Sequence, residues 1–229
     1  MKSFVQSLAL PLDTPSKPLY RWLLALFMLS VIAVGWKYPL LGFAVPVAML
    51  TGMAGGIFRG RYVCGNFCPR GSFYDTVFSF VGGNKPIPAL LQSSGFRWGA
   101  MAGLMSFMVW RIAQNAGDWQ HWGTVFWSMC LITTAAGIPL GIAYRSRSWC
   151  SFCPVGTVAA AIGGDKFQLA ISHDCRQCGI CEKQCPMGLS ISEHRDAGVL
   201  PHKDCIKCSS CVDACRSEAL SWPESKAME

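Results

Sequence analysis

Residues 175–186 read CRQCGICEKQCP, and residues 205–215 read CIKCSSCVDAC. Both stretches space four cysteines as C-x2-C-x2-C-x3-C; proline follows the first, and Arg216 follows the second. Three thiolates on one short loop can bind three irons of a four-iron cube, and the last cysteine of each stretch then binds the other cube. The spacing therefore predicts two [4Fe-4S] clusters in this part of the chain.

The exchange of the last cysteines divides the eight thiolates into two sets. The first cluster is expected on Cys175, Cys178, Cys181 and Cys215, and the second on Cys205, Cys208, Cys211 and Cys185. The alternative is zinc bound by paired C-x2-C knuckles. Zinc does not need four cysteines at 2-2-3 spacing twice, so the sequence favours the clusters.

Four further cysteines lie upstream in two similar segments. The first turn, residues 59–71, reads RGRYVCGNFCPRG, and the second turn, residues 145–156, reads RSRSWCSFCPVG. If the turns meet, they present four thiolates that suit a third iron–sulfur or other soft-metal centre. We list them as tentative ligands: Cys64, Cys68, Cys150 and Cys153. In the alternative, each turn is a packed helix end in which cysteine is a small apolar residue.

The arginines of the two R-x-R segments lie next to these cysteines. Positive charge lowers the pKa of a nearby thiol, so we expect these arginines to favour thiolate over thiol. The flanking residues are Arg59, Arg61, Arg145 and Arg147.

The rest of the chain before residue 165 is apolar. Of all 229 residues, 52% are hydrophobic and only 14% are charged. Soluble domains contain about 25% charged residues, so this composition is not typical of a soluble enzyme. A membrane-spanning helix needs about 20 mostly apolar residues. Four segments approach that requirement: 19–36, 38–58, 96–114 and 121–144.

The expected fold is an all-α membrane bundle of four transmembrane helices, built as two repeated hairpins, with a small α+β two-cluster ferredoxin domain after it. The predicted domains are a cytoplasmic N-terminal segment (1–18), the transmembrane domain (19–164) and the ferredoxin domain (165–229). Residues 1–18 have no continuous apolar core, so no signal peptide is expected. The helix after each turn is expected to lie at the membrane surface.

The basic residues predict the orientation. The N-terminal segment and both turns are rich in Lys and Arg, whereas the opposite end holds only Lys37 and Arg111. The positive-inside rule then places both termini and the ferredoxin domain in the cytoplasm, with a multi-pass protein in the bacterial inner membrane. The excess of basic residues reports this orientation, and no nucleic-acid partner is expected.

Several residues inside the apolar part have two interpretations each. Gly-x-x-x-Gly pairs at 52–56, 99–103 and 137–141 suggest close helix contacts. Tyr74 and Asp75 could relay a proton beside a quinone, although a solvated face is the preferred interpretation of Asp75. Met105, its neighbours Met101 and Met108, and Cys130 are expected to pack, although thioethers can also bind copper(I).

Apolar helices, paired Cys-Pro turns and a C-terminal double-cluster segment together resemble the NapH-type membrane-bound ferredoxins, whose relatives include the membrane part of NosR and MauN. Two departures are the shorter cysteine gap of the second turn and Arg216 in place of proline. The resemblance implies a quinol dehydrogenase subunit, not a self-contained enzyme. It would pass electrons between the quinone pool and a protein redox partner, such as another ferredoxin or a multihaem cytochrome.

Two other functions are compatible with the residues. The protein could be an assembly or maturation factor that reduces a metal ion for another redox enzyme. Alternatively, it could be a ferredoxin that the bundle merely tethers to the membrane, in which case the four turn cysteines carry no electrons.

Overall fold

The computed structural model describes residues 19–81 and 85–223 of the chain, so the predicted N-terminal segment and residues 224–229 lie outside the described residues. The helices there are α1 (Leu19–Val34), α2 (Ala44–Arg59), α3 (Tyr62–Asn66), α4 (Pro69–Val81), α5 (Ala89–Gln92), α6 (Ser94–Ala113), α7 (Trp119–Ala143), α8 (Pro154–Gly163), α9 (Ile180–Gln184) and α10 (Ser210–Asp213). Three short 3₁₀ helices (Pro39–Phe43, Ser148–Ser151, Ser192–His194) and two strands, β1 (Ala170–Ile171) and β2 (Leu220–Ser221), complete the described elements.

The apolar part is helical where the sequence predicts spans. Two helical segments, Pro39–Arg59 with 21 residues and Trp119–Ala143 with 25, are long and apolar enough to cross a membrane. This suggests membrane association. Helix α1 has 16 residues and α6 carries Arg97 and Arg111 near its ends, so a span through either helix stays a prediction.

The helices that follow the two turns fold back into the bundle. A Cβ added at Gly137 of α7 would collide with Tyr74 of α4, and one at Gly141 with Phe78, so α4 runs parallel to α7. Helix α4 is therefore packed inside the bundle, and its predicted position at the membrane surface stays a prediction. Its first residue, Pro69, is deep in the bundle, because Arg70 reaches Cys130 midway along α7.

Helix α8 repeats this arrangement on the other hairpin. A Cβ at Gly52 of α2 would meet Val155, and one at Gly56 would meet Ala159, so α8 runs parallel to α2. The second helix of each hairpin thus packs against the re-entrant helix of the other. Such re-entrant segments occur in membrane proteins where they are buried in protein.

The small-residue pairs predicted to mediate helix contacts do so in two of three cases. Both glycines of α2 and both of α7 lie against a neighbouring helix, as expected. A Cβ at Gly99 or Gly103 of α6 would meet nothing within 4 Å. The expectation is therefore wrong for α6 within this chain.

The ferredoxin part is a small α+β unit around a shared apolar core. Strands β1 and β2 pair antiparallel, with Ala170 opposite Ser221 and Ile171 opposite Leu220. The buried core comprises Leu169, Ile171, Met187, Ile191, Leu200, Ile206 and Leu220 together with Cys181, Cys185, Cys211 and Cys150. Because Cys150 belongs to the second turn, this core continues into the bundle. The predicted domain boundaries stay predictions.

Candidate iron–sulfur site

The two cysteine loops of the ferredoxin part adopt the same backbone conformation. Gln177 and Gly179 flank Cys178 with φ values of 50° and 70°, and Lys207 and Ser209 flank Cys208 with 56° and 64°. Two left-handed residues around the central cysteine curl each loop into a tight arc. A Cβ at Gly179 would meet nothing within 4 Å, so backbone conformation, rather than lack of room, explains the glycine.

The structure brings the predicted second ligand set together. One small cavity is lined by the four members of that set: Cys185, Cys205, Cys208 and Cys211. Cys185 reaches it from the end of α9, so the last cysteine of the first motif joins the second loop, as the spacing predicts. The donors and their convergence fit a [4Fe-4S] cluster. The assignment of individual ligands stays a prediction.

The predicted first set is less enclosed. Cys181 is buried, Cys175 and Cys215 pack against the same core, and Cys178 is exposed. The fourth member, Cys215, follows α10, and its Sγ lies 3.6 Å from Ser217 Oγ. Because Cys178 is exposed, the predicted first cluster lies closer to solvent than the second.

Burial raises the pKa values of three thiols in the second set. Burial raises the pKa of the Cys205 thiol to about 12 and also raises the pKa values of Cys185 and Cys211. A buried thiolate is costly without a compensating positive charge. A metal supplies that charge and releases the protons, so binding of iron would stabilise the fold of these loops.

Single metal ions and clusters require different arrangements of the thiolates. Across residues 19–81 and 85–223, no three His, Cys, Asp or Glu side chains converge as the ligands of one ion do. Structural zinc requires four donors around one centre at about 2.0–2.3 Å. The thiolates around a four-iron cube bind different irons and do not meet at one point.

The two turns meet face to face, and their contact is reciprocal. Arg61 of the first turn donates from Nη2 to the carbonyl oxygen of Cys150 in the second. Arg147 of the second turn donates from Nη1 to the carbonyl oxygen of Cys64 in the first, at 2.8 Å. Each arginine lies three residues before its own turn's first cysteine, so the repeat places the two contacts symmetrically.

Both bracing arginines are buried, with 1% of each residue exposed, and each has a carboxylate partner. Arg147 forms two hydrogen bonds to Asp75 of α4, at 3.0 and 2.7 Å. Arg61 lies 3.0 Å from Asp204, the residue before Cys205 of the ferredoxin part. The first brace therefore joins the two parts of the molecule, and the second stays within the bundle.

The four turn cysteines are mutual neighbours. The Cys64 thiol interacts electrostatically with those of Cys68, Cys150 and Cys153. Burial raises the pKa of Cys64 to about 12, although Arg61 acts in the opposite direction. Arg61 therefore favours the thiolate of Cys64, as expected of a flanking arginine, but the effect of desolvation on the pKa is larger.

The loop of the second cluster lies directly against the first turn. The backbone of Gly65 is so close to Ile206 that a Cβ would collide with the Ile206 carbonyl oxygen. Asn66 donates to the carbonyl oxygen of Lys207 at 3.1 Å, and Arg21 of α1 donates to that of Cys208 at 3.4 Å. Arg21 is thus buried at this interface.

Two carboxylate and carbonyl contacts complete this interface. Arg97 of α6 forms a two-pronged hydrogen bond to Asp204, at 2.7 and 2.5 Å. Burial would raise the pKa of Asp204, but the hydrogen bonds from Arg97 and the charge of Arg61 hold it below its usual value. Arg145 of the second turn donates to the carbonyl oxygen of Cys185 at 2.7 Å. All these contacts involve the second cluster's loops.

Tyr74 and Asp75 have structural roles that the sequence does not indicate. Tyr74 is completely buried, and its hydroxyl donates to the carbonyl oxygen of Thr134 at 3.0 Å. Asp75 is paired with Arg147 and lies 3.8 Å from Arg21. The preferred interpretation of Asp75 as part of a solvated face is wrong, and both side chains instead fix α4 within the bundle.

Asp204 and Lys207 are functional candidates that sequence analysis missed. Lys207 is buried, and its ammonium donates to the carbonyl oxygens of Arg59 and Lys166. Burial lowers its pKa to about 8. Both residues stand beside cluster cysteines, but their types and positions alone do not distinguish a docking contact from a solvated loop.

A large apolar cavity lies beneath the four turn cysteines. Its volume is about 610 Å³, and α1, α2, α6, α7 and both turns form its wall. All four turn cysteines line it, as do Cys130 and five methionines: Met28, Met49, Met105, Met108 and Met129. Ligand cavities in proteins measure about 300–1,000 Å³. The turns therefore separate a ligand-sized cavity from the loop of the second cluster.

Comparison with known protein families supports the binding of [4Fe-4S] clusters. Residues 174–220 match the family described as "4Fe-4S dicluster domain". Residues 41–88 and 127–169 match the family described as "4Fe-4S binding domain", and each of these segments contains one of the two turns. The chain thus carries two kinds of 4Fe-4S binding domain, consistent with the two predicted [4Fe-4S] clusters.

Similar individual proteins occur in Methanocaldococcus jannaschii. Uncharacterized protein MJ0750 is 36% identical over 72 residues, which are 31% of this chain and 28% of that protein. Uncharacterized protein MJ0749 is 22% identical over 212 residues, which are 86% of this chain and 82% of that protein. The chain thus spans less than a third of the first relative and most of the second. No solved structure matches the chain.

Proposed function

We propose that this protein is a membrane-anchored iron–sulfur electron-transfer protein, a quinol dehydrogenase subunit of the NapH type. It passes electrons between the quinone pool and a protein redox partner. The observation that carries the proposal is the contact between the first turn and the loop of the second cluster, centred on Gly65 and Ile206. This contact gives electrons a short, buried route between the bundle cavity and the ferredoxin part.

The surface of the bundle supports a membrane location with four spans. Large apolar side chains are exposed on the outward faces of all four long helices, for example Leu26 of α1, Leu50 of α2, Val109 of α6 and Ile132 of α7. Continuous apolar surface of this kind is rare on soluble monomers. With the basic turns on the cytoplasmic side of the inner membrane, both termini and the ferredoxin part face the cytoplasm.

The four turn cysteines would hold a third redox centre between the cavity and the second cluster. The reciprocal braces from Arg61 and Arg147 hold the turns together at the cysteine carbonyls. The order of sites is then cavity, turn cysteines, second cluster, first cluster and exposed Cys178. The redox partner, such as a ferredoxin or a multihaem cytochrome, would dock beside Cys178.

Oxidation of one quinol to quinone breaks two O–H bonds and releases two electrons and two protons, and the protons leave to solvent. Each [4Fe-4S] cluster supplies a site for one electron when bound. Residues of this chain keep the two ends of the electron route in contact, because Arg61, Asp204 and Asn66 fix the second cluster's loop against the first turn.

The experiment is reduction of the purified full-length protein by decylubiquinol under anaerobic conditions, followed by EPR, with iron and sulfide quantified beforehand. We expect bleaching of cluster absorbance and about twelve irons per chain if the turns hold a four-iron centre. Eight irons would contradict the third centre, and clusters that dithionite reduces but quinol does not would contradict the quinol dehydrogenase role. Replacing the four turn cysteines by serine should stop quinol-driven reduction while both ferredoxin clusters remain, which excludes a merely tethered ferredoxin.

A metal-reducing maturation factor is the second candidate. The observation in its favour is the cavity wall, where five methionines and Cys130 join the four turn cysteines. Thioether and thiolate sulfurs are the ligands that copper(I) prefers. Stoichiometric silver(I) binding by the full-length protein, lost when Met105 and Met108 are replaced by leucine, would favour this candidate over the first.

A further inference from the structure

Arg70 differs from the other arginines of the turns in its partners. Its side chain lies in the wall of the cavity, with Nη2 3.6 Å from Cys130 Sγ and the guanidinium 6.0 Å from the ring centre of Trp149. Among the described residues, no carboxylate lies within ion-pair distance of Arg70. A charged group inside a protein normally has a paired counter-charge or strong acceptors. Arg70 thus has hydrogen-bonding capacity that the folded chain does not use.

The internal repeat shows that the fold does not require an arginine at this position. Arg70 follows the Cys-Pro pair of the first turn, and Val155 occupies the equivalent place in the second. Both residues line the same cavity, and both precede a glycine that contacts the opposite bracing arginine. Arg70 therefore differs from its counterpart Val155, although the cysteine, proline and glycine around it are the same in both turns.

A second polar group on the same wall also lacks a partner. The indole nitrogen Nε1 of Trp149 is buried and has no hydrogen-bond acceptor among the described residues. Buried donors are almost always paired, so an unpaired one calls for an explanation. Trp149 is the aromatic ring that Arg70 lies over. A residue with an unpaired buried donor thus lies next to Arg70 at the turn end of the cavity.

The rest of the cavity suits an apolar body that enters from the side. Arg61 and Arg70 are the only charged residues among those described along its wall, and Arg61 is occupied by Asp204. Phe27 of α1 and Val47 of α2 belong to the wall, yet 48% and 63% of each residue is exposed. Because α1 packs mainly on α4, and α2 on α8, the cavity reaches the outer surface of the bundle between α1 and α2.

We propose that this cavity is a quinone-binding site in which Arg70 is the residue that recognises the head group. The guanidinium donates to one ring oxygen, the Trp149 indole lies beside the ring, and the apolar tail leaves between Phe27 and Val47. A guanidinium binds an oxygen that carries negative charge more strongly than a neutral carbonyl, so it also favours the reduced, deprotonated head group. The ring then stands next to Cys68 and Cys153. This inference rests on the proposed function, since it locates that function's substrate.

The test is equilibrium binding of decylubiquinone to the full-length protein in detergent, measured by calorimetry for wild type and Arg70→Met. Loss of a charge-assisted hydrogen bond predicts about 10- to 100-fold weaker binding. Arg70→Lys, which keeps the charge but not the planar fork, should fall between the two. Arg111→Gln is the matched control, because it removes a charge at the far end of α6, outside the cavity wall, and should bind as wild type does.

The outcomes separate this inference from the proposed function. Equal affinity of wild type and Arg70→Met, with iron content and circular dichroism unchanged, would overturn the role of Arg70 and leave quinol oxidation intact. Binding that depends on Arg70, in a protein whose clusters quinol does not reduce, would support the site and contradict the proposed function alone. If Arg70→Met does not fold, the comparison of Arg70→Lys with Arg111→Gln decides, and equal affinities there overturn the inference.

Discussion

The two cysteine turns share one bracing device but use it to hold different things. In each, a buried arginine donates to the carbonyl oxygen of the first cysteine of the opposite turn. Arg147 takes its carboxylate from Asp75 inside the bundle, whereas Arg61 takes its carboxylate from Asp204 in the ferredoxin part. The brace of the second turn therefore stays within the bundle, and the brace of the first reaches the domain that holds the clusters. The second turn contacts that domain through a separate residue, Arg145, which donates to the carbonyl oxygen of Cys185.

This difference shows how a repeated segment acquires separate functions. The repeat duplicates what the scaffold needs: the braces, the Cys-Pro ends and the re-entrant helices. The positions at which the copies differ carry contacts found only once, namely Gly65 against the second cluster's loop and Arg70 in the cavity. Substitutions that affect one copy and spare the other measure this division directly.

The largest effect is expected for Arg147→Met. The substitution removes one partner of a buried ion pair and leaves Asp75 charged without the two hydrogen bonds from Arg147, which costs about 3–5 kcal/mol. We expect the free energy of unfolding in detergent to fall by that amount, or the protein to be lost during purification. Thermal unfolding followed by tryptophan fluorescence measures it.

The double variant Arg147→Met/Asp75→Leu is the control for this prediction. Replacing both partners by apolar groups removes the unpaired charge, so the double variant should be more stable than Arg147→Met alone. A double variant less stable than the single one would show that Asp75 stabilises the bundle through other contacts.

Asp204→Asn tests the corresponding brace of the first turn and should act on the ferredoxin part. It weakens hydrogen bonds from Arg61 and Arg97, each to a charged acceptor, for a loss of about 1.5–3 kcal/mol. We expect faster hydrogen exchange in residues 165–223 and slower cluster reduction by quinol, with iron content retained. Helices α2 and α7 should keep their exchange protection.

Asp196→Asn is the matched control, because Asp196 is an exposed carboxylate of the same domain. It should leave exchange and reduction rates at wild-type values. If Asp204→Asn accelerated exchange in α2 and α7 as strongly as in the ferredoxin part, the division of labour between the braces would be wrong.

Gly65→Ala tests the contact that exists in the first turn alone. The added Cβ would collide with the Ile206 carbonyl oxygen, which is backbone and cannot rotate away. Overpacking of this kind costs about 1–3 kcal/mol. We expect slower quinol-driven cluster reduction and a lower unfolding temperature of the ferredoxin part. Unchanged electron transfer would mean that the route does not pass through this contact.

Sequence patterns predicted the local chemistry better than the three-dimensional arrangement. The 2-2-3 spacing of cysteines is local, because ligand loops of fixed length must wrap a rigid cube, and the structure indeed brings Cys185 to Cys205, Cys208 and Cys211. The two R-x-R turns were also visible as a repeat. The sequence leaves open whether their cysteines meet, and in the structure all four line one cavity.

The path of the chain after each turn could not be predicted in the same way. An apolar helix that begins with Pro69 has the same pattern whether it lies on a membrane or returns into the bundle. The choice depends on long-range contacts, such as Tyr74 against Gly137 and Asp75 with Arg147. The partners of Asp204 are distant too, because Arg61 is 143 residues away in the chain.

The smallest effect is expected for Gly99→Ala, which compares the first helix of the second hairpin with the helix that follows it. Gly99 belongs to α6, the first helix of its hairpin, and a Cβ there would meet nothing within 4 Å. Alanine favours a helix interior over glycine by about 1 kcal/mol, so stability should stay the same or rise by up to that amount. The matched variant Gly137→Ala, in the second helix, would collide with Tyr74 and should destabilise. If Gly99→Ala also destabilised the protein, α6 would have a packing partner other than the described residues, because among those residues a Cβ at Gly99 or Gly103 meets nothing, whereas the glycine pairs of α2 and α7 lie against re-entrant helices.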